Sequence, residues 1–267
     1  PNMLWLEAET ADGVVGLGET FYAAEAVEAY IHANLAPIVL GMSAVDIEAV
    51  YYRTRPYVGF VAASTELRAR SALDIALWDA LGKLTGQPIS VLLGGRIRSQ
   101  IPIYNTCAGN QYVRGTKLGT TENFGIASSG TDQNYEDLDR FLNDPVGLAG
   151  SLLDMGIDSM KIWPFDFAAE STQGQFISPA ELNKALVPFK AIKKEYGDRM
   201  QISAELHGMW NLSESLIICQ ALDEIGMRWI EDPVFLTNPA GIQELKRTVR
   251  SRIAMGETRG GADDFKI

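Results

Sequence analysis

The 267-residue chain is 46% hydrophobic and 21% charged, the balance of a soluble globular protein. Its net charge of −11 repels a phosphate backbone and counts against a nucleic-acid partner. Its apolar runs fall short of the ~20 residues that a membrane span needs.

The first elements in chain order are two strands, over residues 3–8 and 14–18, joined by a turn at Asp12–Gly13. Helical segments follow, the clearest over residues 64–84. There Ser64 or Thr65 can cap the start, Leu67, Leu73, Leu77, Trp78 and Leu81 recur at helical spacing, and Gly86 and Pro88 mark the end. This first part, residues 1–95, reads as an α+β capping domain. His32 falls in one of its helices and reads as structural.

From residue 96 the pattern alternates. Short apolar strands are predicted at residues 100–105, 159–163, 200–205, 227–231 and 252–257, with helices over 179–196 and 213–225 between them. Buried strands alternating with helices predict a parallel sheet, and without a dinucleotide fingerprint they fit a (β/α) barrel better than a doubly wound sheet. Residues 109–133, rich in Gly, Thr, Ser and Asn, read as either a lid over the barrel mouth or a disordered loop. Two cysteines, Cys107 and Cys219, cannot make a disulfide framework; they are expected to be reduced and buried, and the protein cytoplasmic.

Glu205, Glu231 and Glu257 close three successive strand patterns, QISAE, RWIE and IAMGE, at intervals of 26 residues. One βα unit is about that long, so in a parallel barrel all three carboxylates project at the C-terminal mouth, where barrel active sites lie. Three converging carboxylates need a cation, and oxygen-only donors select Mg²⁺. Taken singly, each is better read as a salt-bridged strand-end acid; the common register is what favours a metal.

Lys161, on the strand before that of Glu205, points into the same mouth if the register holds. It can polarise a carboxylate, exchange a proton, or simply pair with a ligand acid. His207 lies two residues past Glu205 with the same side-chain parity, and an imidazole there can protonate a leaving hydroxyl.

The segments ARSALDIALWDALGKLTGQPISVLLGG (69–95), GIDSMKIWPFD (156–166), ISAELHGMW (202–210), WIEDPV (229–234) and MGET (255–258) resemble the enolase superfamily in its mandelate racemase-like branch. The resemblance implies a cap domain over a modified (β/α)7β barrel, here about five strands over residues 96–267, with Glu205, Glu231 and Glu257 as Mg²⁺ ligands. It implies abstraction of the proton α to a substrate carboxylate. Many relatives carry Lys-x-Lys on the second barrel strand; here the second lysine is replaced by Trp163, which cannot move protons and counts against a two-base racemase. Glu-Leu-His resembles the sugar-acid dehydratases of this branch, with His207 as general acid and Trp163, Asp166 and Trp210 as substrate-contacting candidates.

The same resemblance implies that the base is a histidine paired with an aspartate on a strand beyond residue 267. The chain accordingly reads as a piece lacking both ends, inactive and prone to associate alone, and homo-oligomeric when complete. A cycloisomerase or epimerase, and a non-catalytic sugar-acid binder, stay open as alternatives. A second GET, in GLGET (16–20), places Glu19 in the cap hairpin, outside the trio.

Overall fold

The computed structural model describes residues 3–55, 64–109, 112, 121, 136–261 and 265. They fall into two compact units, one built on residues up to Ile101 together with those from Arg259, the other on Pro102–Thr258.

In the first unit β1 (Met3–Glu9) and β2 (Val15–Phe21) form an antiparallel hairpin in which Met3 faces Phe21 and Glu9 faces Val15. Its turn is closed by Gly13 N donating to Thr10 O, with Gly13 at φ +79°. Helices α1 (Ala24–Tyr30), α2 (Ala36–Val39), α3 (Ile47–Arg53), α4 (Thr65–Thr85) and α5 (Ile89–Leu92) follow. Ser64 caps α4 by accepting from Thr65 N, and Gly86 ends it in the left-handed conformation.

β2 lies on α4 because both surfaces are small. Ala69, Ala72, Ala76 and Ala80 are fully buried, and a Cβ on Gly16 or Gly18 would collide with the carbonyl oxygens of Ala76 and Ala72. Val27, Leu35, Ile47, Val50, Leu73 and Leu77 fill the remaining core of this unit.

The second unit holds α6 (Asp137–Asn143), α7 (Pro145–Asp154), β3 (Ser159–Ile162), α8 (Asp166–Thr172), α9 (Pro179–Tyr196), β4 (Gln201–Glu205), α10 (Leu212–Ile225), β5 (Trp229–Glu231), α11 (Pro239–Thr248) and β6 (Arg252–Ala254). The strands form one parallel sheet in the order β3-β4-β5-β6. The helix starts are written in the sequence: Ser178, Asn211 and Asn238 each cap the helix that follows, and Ser178 and Glu181 form a reciprocal capping box. Among the described residues no helix is long and apolar enough to cross a membrane.

The sheet departs from the predicted strands at both edges. The expected strand at 100–105 is reduced to one parallel bridge, Asn105 to Met160. Pro102 lacks an N–H to donate, and Ile101 and Ile103 are exposed, so neither ladder bonds nor burial hold the segment extended. The expected strand at 252–257 stops at Ala254, and Gly256 turns the chain at φ +135°. The described sheet therefore has four strands and a bridge rather than five strands. The predicted loop at 109–133 lies outside the described residues except at Gly109, Tyr112 and Thr121.

Candidate metal centre

The C-terminal ends of β3, β4 and β5 are brought together by their register. Lys161 pairs with Ser203 and Glu205 with Glu231. Since side chains alternate along a strand, Lys161, Ser203, Glu205 and Glu231 share one face. Glu257 reaches the same place from the turn after β6. Glu231 pairs with Ala254, so the third glutamate stands three residues beyond the strand position that matches the second.

Glu205, Glu231 and Glu257 each offer an oxygen within 4.8 Å of the others. Ligands of an octahedral ion with bonds of about 2.1 Å lie about 3 Å apart when adjacent and about 4 Å apart when opposite, so the trio suits one small hard cation. Glu205 is fully buried, Glu231 half-buried and Glu257 exposed, which leaves an open side for water or ligand.

Lys161 holds the two inner acids. Its Nζ lies 2.7 Å from Glu205 Oε2 and 2.8 Å from Glu231 Oε1. Burial opposes its charge, but Glu205 and Glu231 outweigh burial and keep the ammonium well above its usual range. Burial pushes the Glu205 carboxyl up to about 7, with His207 and Lys161 pulling it back and Glu231 adding to the rise. Burial also acts to raise Glu231, yet donation from Lys161, Glu205 and Trp229 Nε1 (3.0 Å) holds it below the usual carboxylate range. With all three acids ionised, Lys161 would leave two negative charges among them, which a divalent ion would cancel.

His207 is aimed by a turn rather than by strand alternation, because β4 ends at Glu205 and His207 sits at φ +48°. Its backbone N donates to Glu205 Oε1 at 3.0 Å. Its Nδ1 lies 2.7 Å from Asp166 Oδ2, a contact that is an ion pair when His207 is protonated. Burial pushes the Asp166 carboxyl up, and His207 pulls it back. Burial acts against an imidazolium, but Asp166, Glu205 and Glu257 together push His207 up to about 9.

Asp166 begins α8 and is fully buried, so its carboxylate meets His207 and not solvent. Trp163, 2% exposed, packs edge-on to His207 at 5.8 Å and to Phe141 at 5.4 Å. Trp210 is equally buried, in the same core. Both indole N–H groups lack a hydrogen-bond partner among the described residues.

Residues 2–94 match the family model for the N-terminal domain of mandelate racemase and muconate lactonizing enzymes, and residues 146–267 match the enolase C-terminal domain-like model. The chain belongs to the mandelate racemase and muconate lactonizing enzyme family of the enolase superfamily. A crystal structure of a mandelate racemase subgroup enolase from Agrobacterium tumefaciens is 38% identical, covers 99% of this chain and 63% of its own, and superposes with a TM-score of 0.83. A D-mannonate dehydratase of Novosphingobium aromaticivorans is 28% identical across 96% of this chain and 61% of its own length. Muconate cycloisomerase 1 of Pseudomonas putida is 24% identical across 98% and 60%. The chain thus spans about three fifths of the relatives it matches.

Within this enolase site two residues escaped the sequence reading. Tyr104 presents its ring to Lys161 Nζ at 5.8 Å and edge-on to Trp229 at 5.0 Å; an aromatic at the end of a predicted barrel strand was the available signal. Asp232, 4% exposed, follows Glu231 directly. Burial, then the charges of Glu257 and Glu231, push its carboxyl up to about 6. The acidic pair Glu231–Asp232 before Pro233 was the signal there.

Proposed function

We propose that the chain carries the Mg²⁺ site and the general acid of a sugar-acid dehydratase, acting on an aldonate or aldarate. The observation that carries this reading is the glutamate trio beside an imidazole that Asp166, Glu205 and Glu257 keep protonated against the pull of burial. When bound, Mg²⁺ would act as a Lewis acid on the substrate carboxylate and lower the cost of removing the α-proton. Glu205, Glu231 and Glu257 would hold it. Lys161, fixed between two acids and charged throughout the working range, adds positive charge at the carboxylate and is a poor base.

In the elimination, a base takes the proton from Cα, the Cα–Cβ double bond forms, and the β-hydroxyl departs with a proton from His207 as water. The resulting enol tautomerises to a 2-keto-3-deoxy acid. Asp166 keeps the imidazole oriented and charged until transfer. Trp163 walls the imidazole on its ring edge and excludes water there; Trp210 is assigned to the same wall. Residues 1–95 serve in this reading as the cap and 96–267 as the metal-bearing catalytic part, in a cytoplasmic homo-oligomer that takes a small anionic substrate.

Since the chain spans about three fifths of its relatives, the test uses it with any coding sequence that continues it. The protein is incubated with a panel of acid sugars and Mg²⁺, and 2-keto acid is read with semicarbazide. No product across the panel overturns the proposal. The similarity to a muconate cycloisomerase favours a second reading, isomerisation, which would place solvent deuterium in recovered substrate without forming keto acid.

A further inference from the structure

Glu257 is the least anchored of the three acids. The sheet register ends three residues before it, its side chain is exposed, and it follows a glycine at φ +135°. A ligand on such a turn needs something outside the strand ladder to fix it.

Asp232 is placed to do this. Its backbone N donates to Ala254 O at 2.9 Å, and its carbonyl accepts from Gly208 N at 2.7 Å. The turns that follow β4, β5 and β6 are therefore laced through one residue. Its carboxylate faces the N–H of Gly256, immediately before Glu257, while its Oδ2 is buried without a hydrogen-bond partner among the described residues. Its backbone sits at φ +39°, a region that Asp, Asn and Gly enter far more readily than other residues. A carboxylate buried next to two others is costly unless it does something there.

We propose that Asp232 is a positioning residue of the metal centre, whose side chain sets the Gly256–Glu257 turn so that the third acid closes on the cation. This rests on reading the trio as a metal site. Asp232 acts through Glu257; it is neither a ligand nor a proton carrier in this proposal.

Two substitutions separate the side chain from the backbone. Asp232→Asn keeps both the left-handed preference and a side-chain oxygen beside the Gly256 N–H. Asp232→Gly keeps the backbone conformation but leaves no acceptor. Mn²⁺ is the probe, titrated into the protein with any coding sequence that continues it and read by the loss of its free-ion electron paramagnetic resonance signal, with Mg²⁺ as competitor and the metal-free melting temperature as control.

We expect Asp232→Asn to bind within about 3-fold of the parent and Asp232→Gly to bind about 10–100-fold more weakly, the range for losing a group that orients a ligand. Equal binding by Asp232→Gly overturns the proposal. Weakening of more than about 10-fold in Asp232→Asn also overturns it, by assigning the effect to charge, and decides the matter alone if the glycine variant does not fold. Saturable Mn²⁺ binding by the parent separates these outcomes from failure of the metal reading, whose collapse would remove both.

Discussion

The tripeptide Gly-Glu-Thr occurs twice, at residues 18–20 and 256–258, and the two copies do unrelated things. In the hairpin, Gly18 lies against the carbonyl of Ala72, and Glu19 stands exposed across from Trp5. After β6, Gly256 turns the chain and Glu257 joins two other carboxylates. In the first copy the glycine matters for its lack of a side chain and the acid is solvated. In the second the glycine matters for its backbone angle and the acid meets its like. Chemistry here comes from the convergence of parallel strand ends, not from the local string.

The largest effect that would break this contrast comes from the acids themselves. Glu205→Gln is expected to weaken Mg²⁺ binding by at least about 100-fold, more than an orienting group costs, and with it the rise in melting temperature that saturating metal produces. Glu19→Gln should leave both unchanged. Equal behaviour of the two variants in a calorimetric titration would erase the distinction.

Next comes His207→Asn, which should lower dehydration by about 10²–10⁴-fold, the scale of general acid catalysis, while Mg²⁺ affinity stays near that of the parent. A loss of affinity in step with turnover would make His207 part of the cation's support and not the acid.

The glycine side of the contrast is tested by Gly18→Ala. A methyl group driven toward the Ala72 carbonyl should destabilise the protein by about 1–3 kcal/mol, read as a lower urea midpoint at unchanged slope. Gly13→Ala, with open space around its missing side chain but a positive φ, should lose about 1–2 kcal/mol.

The smallest effect belongs to Asp223, which fastens the approach to β6. It accepts from Arg250 N, Ser251 N and Ser251 Oγ at 2.6–2.8 Å. Burial works against its charge, but these donors outweigh it and hold the carboxyl below its usual range. A lowered folded-state value means stability that is present above the unfolded value, near pH 4, and lost as pH falls through the folded one. Asp223→Asn should cost about 1 kcal/mol at pH 7 and flatten the stability curve below about pH 4. An unchanged acid limb would refute the assignment.

How much of this was legible beforehand depended on whether a feature is periodic or tertiary. The bounds of α9 follow from Ser178, Pro179 and Glu181, which specify a helix start without help from the rest of the chain. The 26-residue interval selected three glutamates whose oxygens do come together, because βα units of similar length repeat the same end of the sheet.

Three things were out of reach. Alternation placed Glu257 at a strand end, but the ladder stops at Ala254, and where a parallel ladder stops depends on its neighbour. Strand parity points His207 toward the site, but the left-handed turn at φ +48° is what aims it. The pairing of Asp166 with His207 joins residues 41 positions apart, from the segments that follow the paired strands β3 and β4, which no spacing rule contains.

The indole of Trp163, edge-on to His207, has a spectroscopic consequence. A protonated imidazole quenches a neighbouring indole far more strongly than a neutral one, so emission from this ring follows whether His207 holds its proton. The protein thereby carries a built-in optical gauge of that imidazole's charge, readable in stopped flow without any added label, and replacing Trp163 with phenylalanine supplies the blank.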